Sequence, residues 1–156
     1  MLGRVAALGS RTNVRAAAHT LLNAYKASLD DGKLRQVYQA RPASINPPCA
    51  FIDSISEGSI GYTPAGMQRT PDVAIRFVRG TFDRADVAEA NDELVDGFID
   101  YVVANKHAAG ANTISTISSA EDEDGWVPEW MPADRQAAYY TTVVAFSAEG
   151  LFGGLT

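Results

Sequence analysis

The chain has 156 residues, 46% hydrophobic and 21% charged, a composition that suits one folded domain with its own core and excludes a disordered segment. Its formal net charge of −6 argues against a grip on nucleic-acid backbones, which needs clustered lysine and arginine. No apolar run nears the roughly 18 residues that span a bilayer, and the opening MLGRVAALGS lacks the ~7–15-residue apolar core of a signal peptide, so the expectation is a protein that stays in the cytoplasm where it is made, with no membrane.

Residues 10–30 read as a first helix: Val14, Ala17, Ala18, Leu21, Leu22, Tyr25 and Leu29 form an apolar stripe, Ser10 or Thr12 is placed to cap it, and Asp30-Asp31-Gly32 ends it. His19 lies beside the stripe, a structural or solvent-facing position. KLRQVYQA, residues 33–40, suits a short strand, and the prolines at 42, 47 and 48 then break the pattern. CAFIDSI, residues 49–55, is a second strand. Cys49 is the single cysteine, so no internal disulfide forms, and its apolar neighbours predict a buried, inert thiol.

The segment 54–71 holds three glycines and few core-forming residues, and it reads as a long loop or an extended hairpin arm that grips a partner. Next comes DVAIRFVRGTFDRADVAEANDELVDGFIDYVV, residues 72–103. Val73, Ile75 and Phe77 alternate with Ala74, Arg76 and Val78, the period of a half-buried strand. Asp83 can cap the following helix, whose apolar face is Val87, Ala90, Leu94, Val95, Phe98, Tyr101 and Val102. Its opposite face is Asp86, Glu89, Asp92, Glu93, Asp96 and Asp100. NTISTISSA, residues 112–120, is a further strand, and residues 121–136 form a long connection with both tryptophans. AAYYTTVVAFSA, residues 137–148, is the densest β-former, which predicts a central strand covered on both faces. The tail at 149–156 is glycine-rich yet keeps Leu151, Phe152 and Leu155 for docking.

These elements predict an α+β fold in a single domain, residues 1–156: a mostly antiparallel sheet of about four to five strands with two main helices, about 12–30 and 83–104. Charge divides along it. Up to Ile52 there are seven basic and two acidic residues, and from Asp53 onward six basic and seventeen acidic, so one subunit's basic end suits a neighbour's acidic one.

Chemistry is hard to place on this sequence. The acidic run at 121–125 fails as a calcium loop, because an Asp124-Gly125 alignment puts Ala120 and Met131 where the ligands at the two ends belong. Phosphate-binding glycine patterns, GxSxG and HExxH are missing, so no catalytic, cofactor-binding or metal residues are assigned and no enzyme is expected. Trp126 and Trp130 flank Pro128, an arrangement that pins a loop to a core or forms a platform for a partner.

The order of elements resembles the tail terminator proteins of long-tailed bacteriophages. The likeness lies in the first helix leading into LRQVYQARPASINPPCAFID, then VAIRFVRG with DRADVAEANDELVDGFIDYV, then NTISTISSA and YYTTVVAFSA. It implies a small α+β structural protein of the virion, assembled in the host cytoplasm. Six copies would form a ring that caps the tail tube protein, ends tube polymerisation and presents a docking surface to the head connector. Double-stranded DNA would pass through the hole without sequence recognition. On that reading Ile60, Tyr62, Met67 and Arg69 of the arm, Trp126 and Trp130, and Leu151 and Phe152 of the tail are candidate contacts between subunits or partners. Asp92, Glu93, Asp96 and Asp100 are candidate channel-lining residues, since a negative wall repels the DNA. The alternatives are a head completion or head–tail joining protein of the neck, a tail tube protein, which is disfavoured by the long helices, and, from another class, a cytoplasmic small-ligand binder or enzyme.

Overall fold

A computed structural model describes residues 11–151 apart from 31, 65, 82–84, 106–112, 123–124 and 133–137. The elements run α1 (Arg11–Ser28), β1 (Gln36–Tyr38), β2 (Cys49–Thr63), β3 (Gly66–Thr81), α2 (Ala85–Ala104), β4 (Thr113–Glu121) and β5 (Tyr139–Leu151). The five strands form one sheet in the order β1-β2-β3-β5-β4, parallel between β1 and β2 and antiparallel elsewhere. This is the α+β architecture expected. The proposed caps Ser10 and Asp83 lie outside the described residues.

Both helices lie on one face of the sheet. In α1 the buried side chains are Val14, Ala18, Leu21, Leu22 and Tyr25, and in α2 they are Leu94, Val95, Phe98 and Val102 together with Asn91. They meet Ala50, Ile52, Val73, Ile75, Phe77, Val144 and Phe146 of the strands in one core. Removing each valine, leucine, isoleucine or phenylalanine among them from water is worth roughly 1.5–3 kcal/mol, and that offsets the chain entropy the fold costs. Tyr25, Phe98 and Phe77 tie the layers together: the Tyr25 and Phe98 rings are 5.3 Å apart, and those of Phe98 and Phe77 are 5.2 Å apart.

Three readings of the sequence change. Of the two readings of residues 54–71 the hairpin holds and the loop does not: they are the distal halves of β2 and β3, paired from Ser54↔Ala74 to Thr63↔Gly66 in one long hairpin within the sheet. Glycine and serine weakened the strand signal there, and only the partner strand supplies the missing order. The tail also starts later, because β5 pairs Gly150 with Arg69 and Leu151 with Gln68, and residues 152–156 lie outside the described residues. Finally, β5 is flanked by strands but not covered on both faces. Thr142, Val144 and Phe146 are buried under the helices, whereas Val143, Ala145 and Ser147 on the other face are only half-buried.

A bulge sets the faces of β2. Ile52 pairs with Ile75 and Ser54 with Ala74, which leaves Asp53 as the extra residue. Strict alternation would send Ile55 away from the helices; the extra residue returns it to the core side, where it packs on the main cluster. The bulged Asp53 itself turns to the far face, where its carboxylate meets two arginines.

Gly97 marks the tightest approach of the two helices. A Cβ at this position would sit 2.6 Å from the Tyr25 hydroxyl, which donates a 2.6 Å hydrogen bond to the carbonyl of Leu94. Gly97→Ala is therefore expected to lower stability by roughly 1–2 kcal/mol in urea unfolding, although alanine is the better helix former by ~1 kcal/mol. In a Tyr25→Phe background the same substitution should be neutral or stabilising. A gain in stability from Gly97→Ala alone would sink the close-approach account.

Candidate functional surfaces

Among the described residues no helix lies on the far face of the sheet. Cys49, Phe51 and Val78 form a second buried cluster there, closed by Tyr38, Ile45, Trp126 and Tyr139. The Cys49 thiol is buried, and burial pushes its pKa up to about 11, which keeps it protonated and unreactive at neutral pH. Gly125, with φ 75°, lets the chain after β4 turn back, and Trp126 then bridges Tyr139 through paired backbone hydrogen bonds of 3.1 and 2.9 Å. Trp126 stacks near Phe51 at 5.9 Å and near Trp130 at 6.0 Å, so the first tryptophan pins the connection to the sheet. Trp130 stays 38% exposed, one of two large exposed hydrophobic side chains among the described residues; the other is Val103 on α2.

Between this cluster and the hairpin lies a belt of charge. Arg76 Nη1 pairs with the Asp122 carboxylate and donates to Thr141 Oγ1 at 3.2 Å, and Nη2 reaches Asp53 Oδ2 at 3.3 Å. Thr141 Oγ1 donates to Asp122 at 2.6 Å, and Arg41 Nε donates to Asp53 Oδ1 at 2.7 Å. The guanidinium of Arg76 also lies 5.3 Å from the centre of the Trp126 ring. Arg76 and Asp53 are nearly buried, so removing one partner strands a charge. The outer link from Arg41 to Glu129 is solvent-exposed and adds little. Asp122, from the acidic run that fails as a calcium loop, is thus an ion-pair partner. Past the belt the face is small and polar: Thr116 donates to Ser147 at 3.0 Å and Ser147 to Asp72 at 2.5 Å, a ladder across β4, β5 and β3.

The four channel candidates are all exposed on α2 but do not share one wall. Asp92 and Asp96 turn toward β4, where they line a cleft of about 230 Å³ with Ser119, Ala120 and Glu121. Glu93 turns toward α1 and lines a cavity of about 600 Å³ with Tyr25, Lys33, Arg79 and Gly97, and the charge of Asp100 acts on Tyr25 beside it. Burial, and then Asp100, raise the Tyr25 phenol to about 12. The Asp92 carboxyl is held above its ordinary range by desolvation, then by a hydrogen bond with Glu121 and the charges of Glu121 and Asp96. Tyr140 is likewise raised, by burial and then by the same Glu121.

Sequence reasoning missed two residues of this region. Asn91 is fully buried and gives its Nδ2 to Thr142 Oγ1 at 2.8 Å, with Oδ1 left without a partner. Its place four residues after Val87 and three before Leu94 puts it on the apolar stripe, so the spacing could have found it. Arg79 is the residue after the alternating run Val73–Val78. It reaches toward the Lys33 carbonyl at 3.5 Å, with a buried Nε lacking a partner, and burial lowers its pKa. Nothing local marks it, because α1 and α2 close over it from distant parts of the chain.

For the remaining candidates the backbone is placed. Ile60 pairs with Arg69 and Tyr62 with Met67 near the hairpin tip, and Leu151 pairs with Gln68, which brings these five positions to one end of the sheet. Trp126 and Trp130 lie apart from them, at the far-face cluster. Phe152 lies outside the described residues. Among the described residues no group of three or more histidine, cysteine or acidic side chains is placed to hold a metal ion. No described helix is long and apolar enough to cross a membrane.

Arg76→Met is expected to cost about 2–4 kcal/mol in denaturant unfolding and to shift Trp126 emission, because Asp53 and Asp122 lose their shared cation. An unchanged midpoint would show that the belt contributes no stability. The Asp92 group gives the opposite sign. A carboxyl whose folded-state pKa is raised adds stability below its unfolded pKa and loses it as pH rises through the folded value. Asp92→Asn should therefore raise the melting temperature at pH 7, with the advantage fading as pH falls through the ordinary carboxylate range. Equal gains at both ends of that range would count against the raised Asp92 pKa as the cause.

The sequence matches no protein-family model and no curated protein.

Proposed function

We propose that this chain is a structural virion protein, the subunit of a ring that caps a bacteriophage tail tube. The observation that carries the reading is the β2–β3 hairpin. Its strands continue to Thr63 and Gly66, past the pair Ile55 and Val73 that packs in the main core. Among the described residues β2 has no strand on its outer side from Ile52 to Thr63, and such a free edge gains hydrogen bonds when a partner adds a strand to it. β5 pairs with β3 out to Arg69 and Gln68, close to the hairpin tip, and holds the hairpin in line with the sheet.

The ring ends polymerisation of the tube on one side and offers the head connector a docking surface on the other, and DNA passes through without sequence recognition. α2 carries six acidic residues and no basic one, a charge that disfavours sticking of the DNA wherever the helix faces the hole. A neck protein that completes the head or joins head to tail is the nearest rival, built on the same domain. The Tyr25–Arg79 cavity favours a second reading, a binder of small acidic ligands, since about 600 Å³ is within the range of ligand sites and two cations line it.

The test is native mass spectrometry with electron microscopy of the purified protein, alone and mixed with tail tubes. A discrete hexamer with a central hole, alone or on the tube end, is the expected outcome, and abnormal tail length in a phage lacking the gene separates terminator from joining protein. Replacing residues 60–69 by a two-residue Asn-Gly turn should keep the far-ultraviolet spectrum and the melting transition but abolish the ring. A shortened protein that assembles as well as the intact one removes the arm from the contact. A strict monomer with saturable anion binding replaces the ring reading with the ligand-binding one.

A further inference from the structure

The two helices lie side by side on one face of the sheet but over opposite halves. α1 packs on β1, β2 and β3, and α2 on β3, β5 and β4. Their charges are opposite and unmixed. α1 carries Arg11, Arg15 and Lys26 with no acidic residue, and α2 carries Asp86, Glu89, Asp92, Glu93, Asp96 and Asp100 with no basic one. The basic side chains reach the outer edge: Arg15 donates to the carbonyl of Gln39 just past β1 at 2.6 Å, and Lys26 and Arg35 share a cleft of about 340 Å³ with Asp30. At the opposite edge stand Asp92, Asp96 and Glu121. The charge asymmetry along the sequence has become a charge asymmetry across the sheet.

Each edge is also open backbone. Among the described residues β4 pairs with β5 alone, and β1 covers β2 only from Cys49 to Phe51, so Ile52–Thr63 has no strand on its outer side. Exposed edges invite a further strand unless lysine or proline blocks them, and neither β4 nor this stretch of β2 contains either residue. Directions agree as well. β2, β3, β5 and β4 alternate, so β4 beside the β2 of another copy is antiparallel. Levels agree too, since one row of register partners, Val37, Ala50, Phe77, Thr142 and Glu121, crosses the sheet from β1 to the acidic end of β4. A neighbour displaced across the sheet therefore meets β1, with Arg35 just before it and Arg15 of α1 bonded just past it, at the level of Glu121.

We infer that the occupant of each edge is a second copy of this chain, bound head to tail, with β4 of one copy antiparallel along the open stretch of β2 of the next and Asp92, Asp96 and Glu121 facing Arg15, Lys26 and Arg35. Such a contact is heterologous: it closes into a ring or runs on as a filament according to its rotation. It deepens the ring reading and rests on it for closure alone.

Two charge-reversed proteins test it, Asp92→Lys with Asp96→Lys on the acidic edge and Lys26→Glu with Arg35→Glu on the basic one. All four side chains lie at the surface, and circular dichroism and melting establish that each variant folds; Asp92→Asn with Asp96→Asn and Lys26→Gln with Arg35→Gln stand in for any that does not. Each variant alone should need at least roughly tenfold more protein to assemble, because like charges then face each other. The neutral pairs should weaken assembly in the same direction. Mixed one to one, the two reversed variants should restore assemblies in which they alternate, resolved by mass, and added salt should weaken the wild type. Loss without rescue, or variants that assemble like the wild type while it forms rings, overturns the edge contact and leaves the ring reading standing. Open filaments from the wild type with rescue in the mixture support the contact and overturn the ring. A wild type that remains monomeric at every concentration and on the tube overturns both.

Discussion

Phe98 packs between Phe77 of the central strand and Tyr25 of the first helix, and this three-ring contact decides how the layers lie. Because both helices converge on it, both occupy the same side of the sheet. Gly97 permits the convergence, with the Tyr25 hydroxyl bonded to the Leu94 carbonyl in the space a side chain would fill. The helices then cover complementary halves of the sheet, and the second face is left to loops.

That second face is held by polar order as much as by apolar contact. A β-bulge places Asp53 where Arg41 and Arg76 can take its carboxylate, and Arg76 continues to Asp122 and Trp126. Buried ion pairs add little net stability when every partner is present, but they make alternative arrangements costly. Here the belt fixes the strand β3, the bulge of β2 and the return of the chain after β4 relative to one another. The small polar residues beyond the belt leave a flat surface at the base of the hairpin.

The functional reading grows from what surrounds this frame. Among the described residues the molecule combines a long hairpin, two open strand edges and opposite charges at those edges. Each alone is ordinary. Together they suit a subunit whose partner is another copy of itself, and the carboxylates crowded at the α2–β4 edge carry a repulsion that a basic neighbour would relieve.

The sequence by itself determined the elements. Apolar residues at helical spacing marked α1 and α2, alternation marked the core of β3, and the apolar setting of Cys49 foretold its burial, because these signals are local and arise from which side of an element meets water. The α+β class followed from their order. Only the tertiary structure decided the strand order, the length of the hairpin and the bulge at Asp53. It also brought together Asp53, Arg76 and Asp122, and separately Asp92 and Glu121, residues far apart in the chain whose meeting depends on which strands pair. Charge composition showed the imbalance along the chain, but its direction across the sheet was set by helix placement. Helix placement rests in turn on the contact among Tyr25, Phe98 and Phe77, which no local pattern encodes.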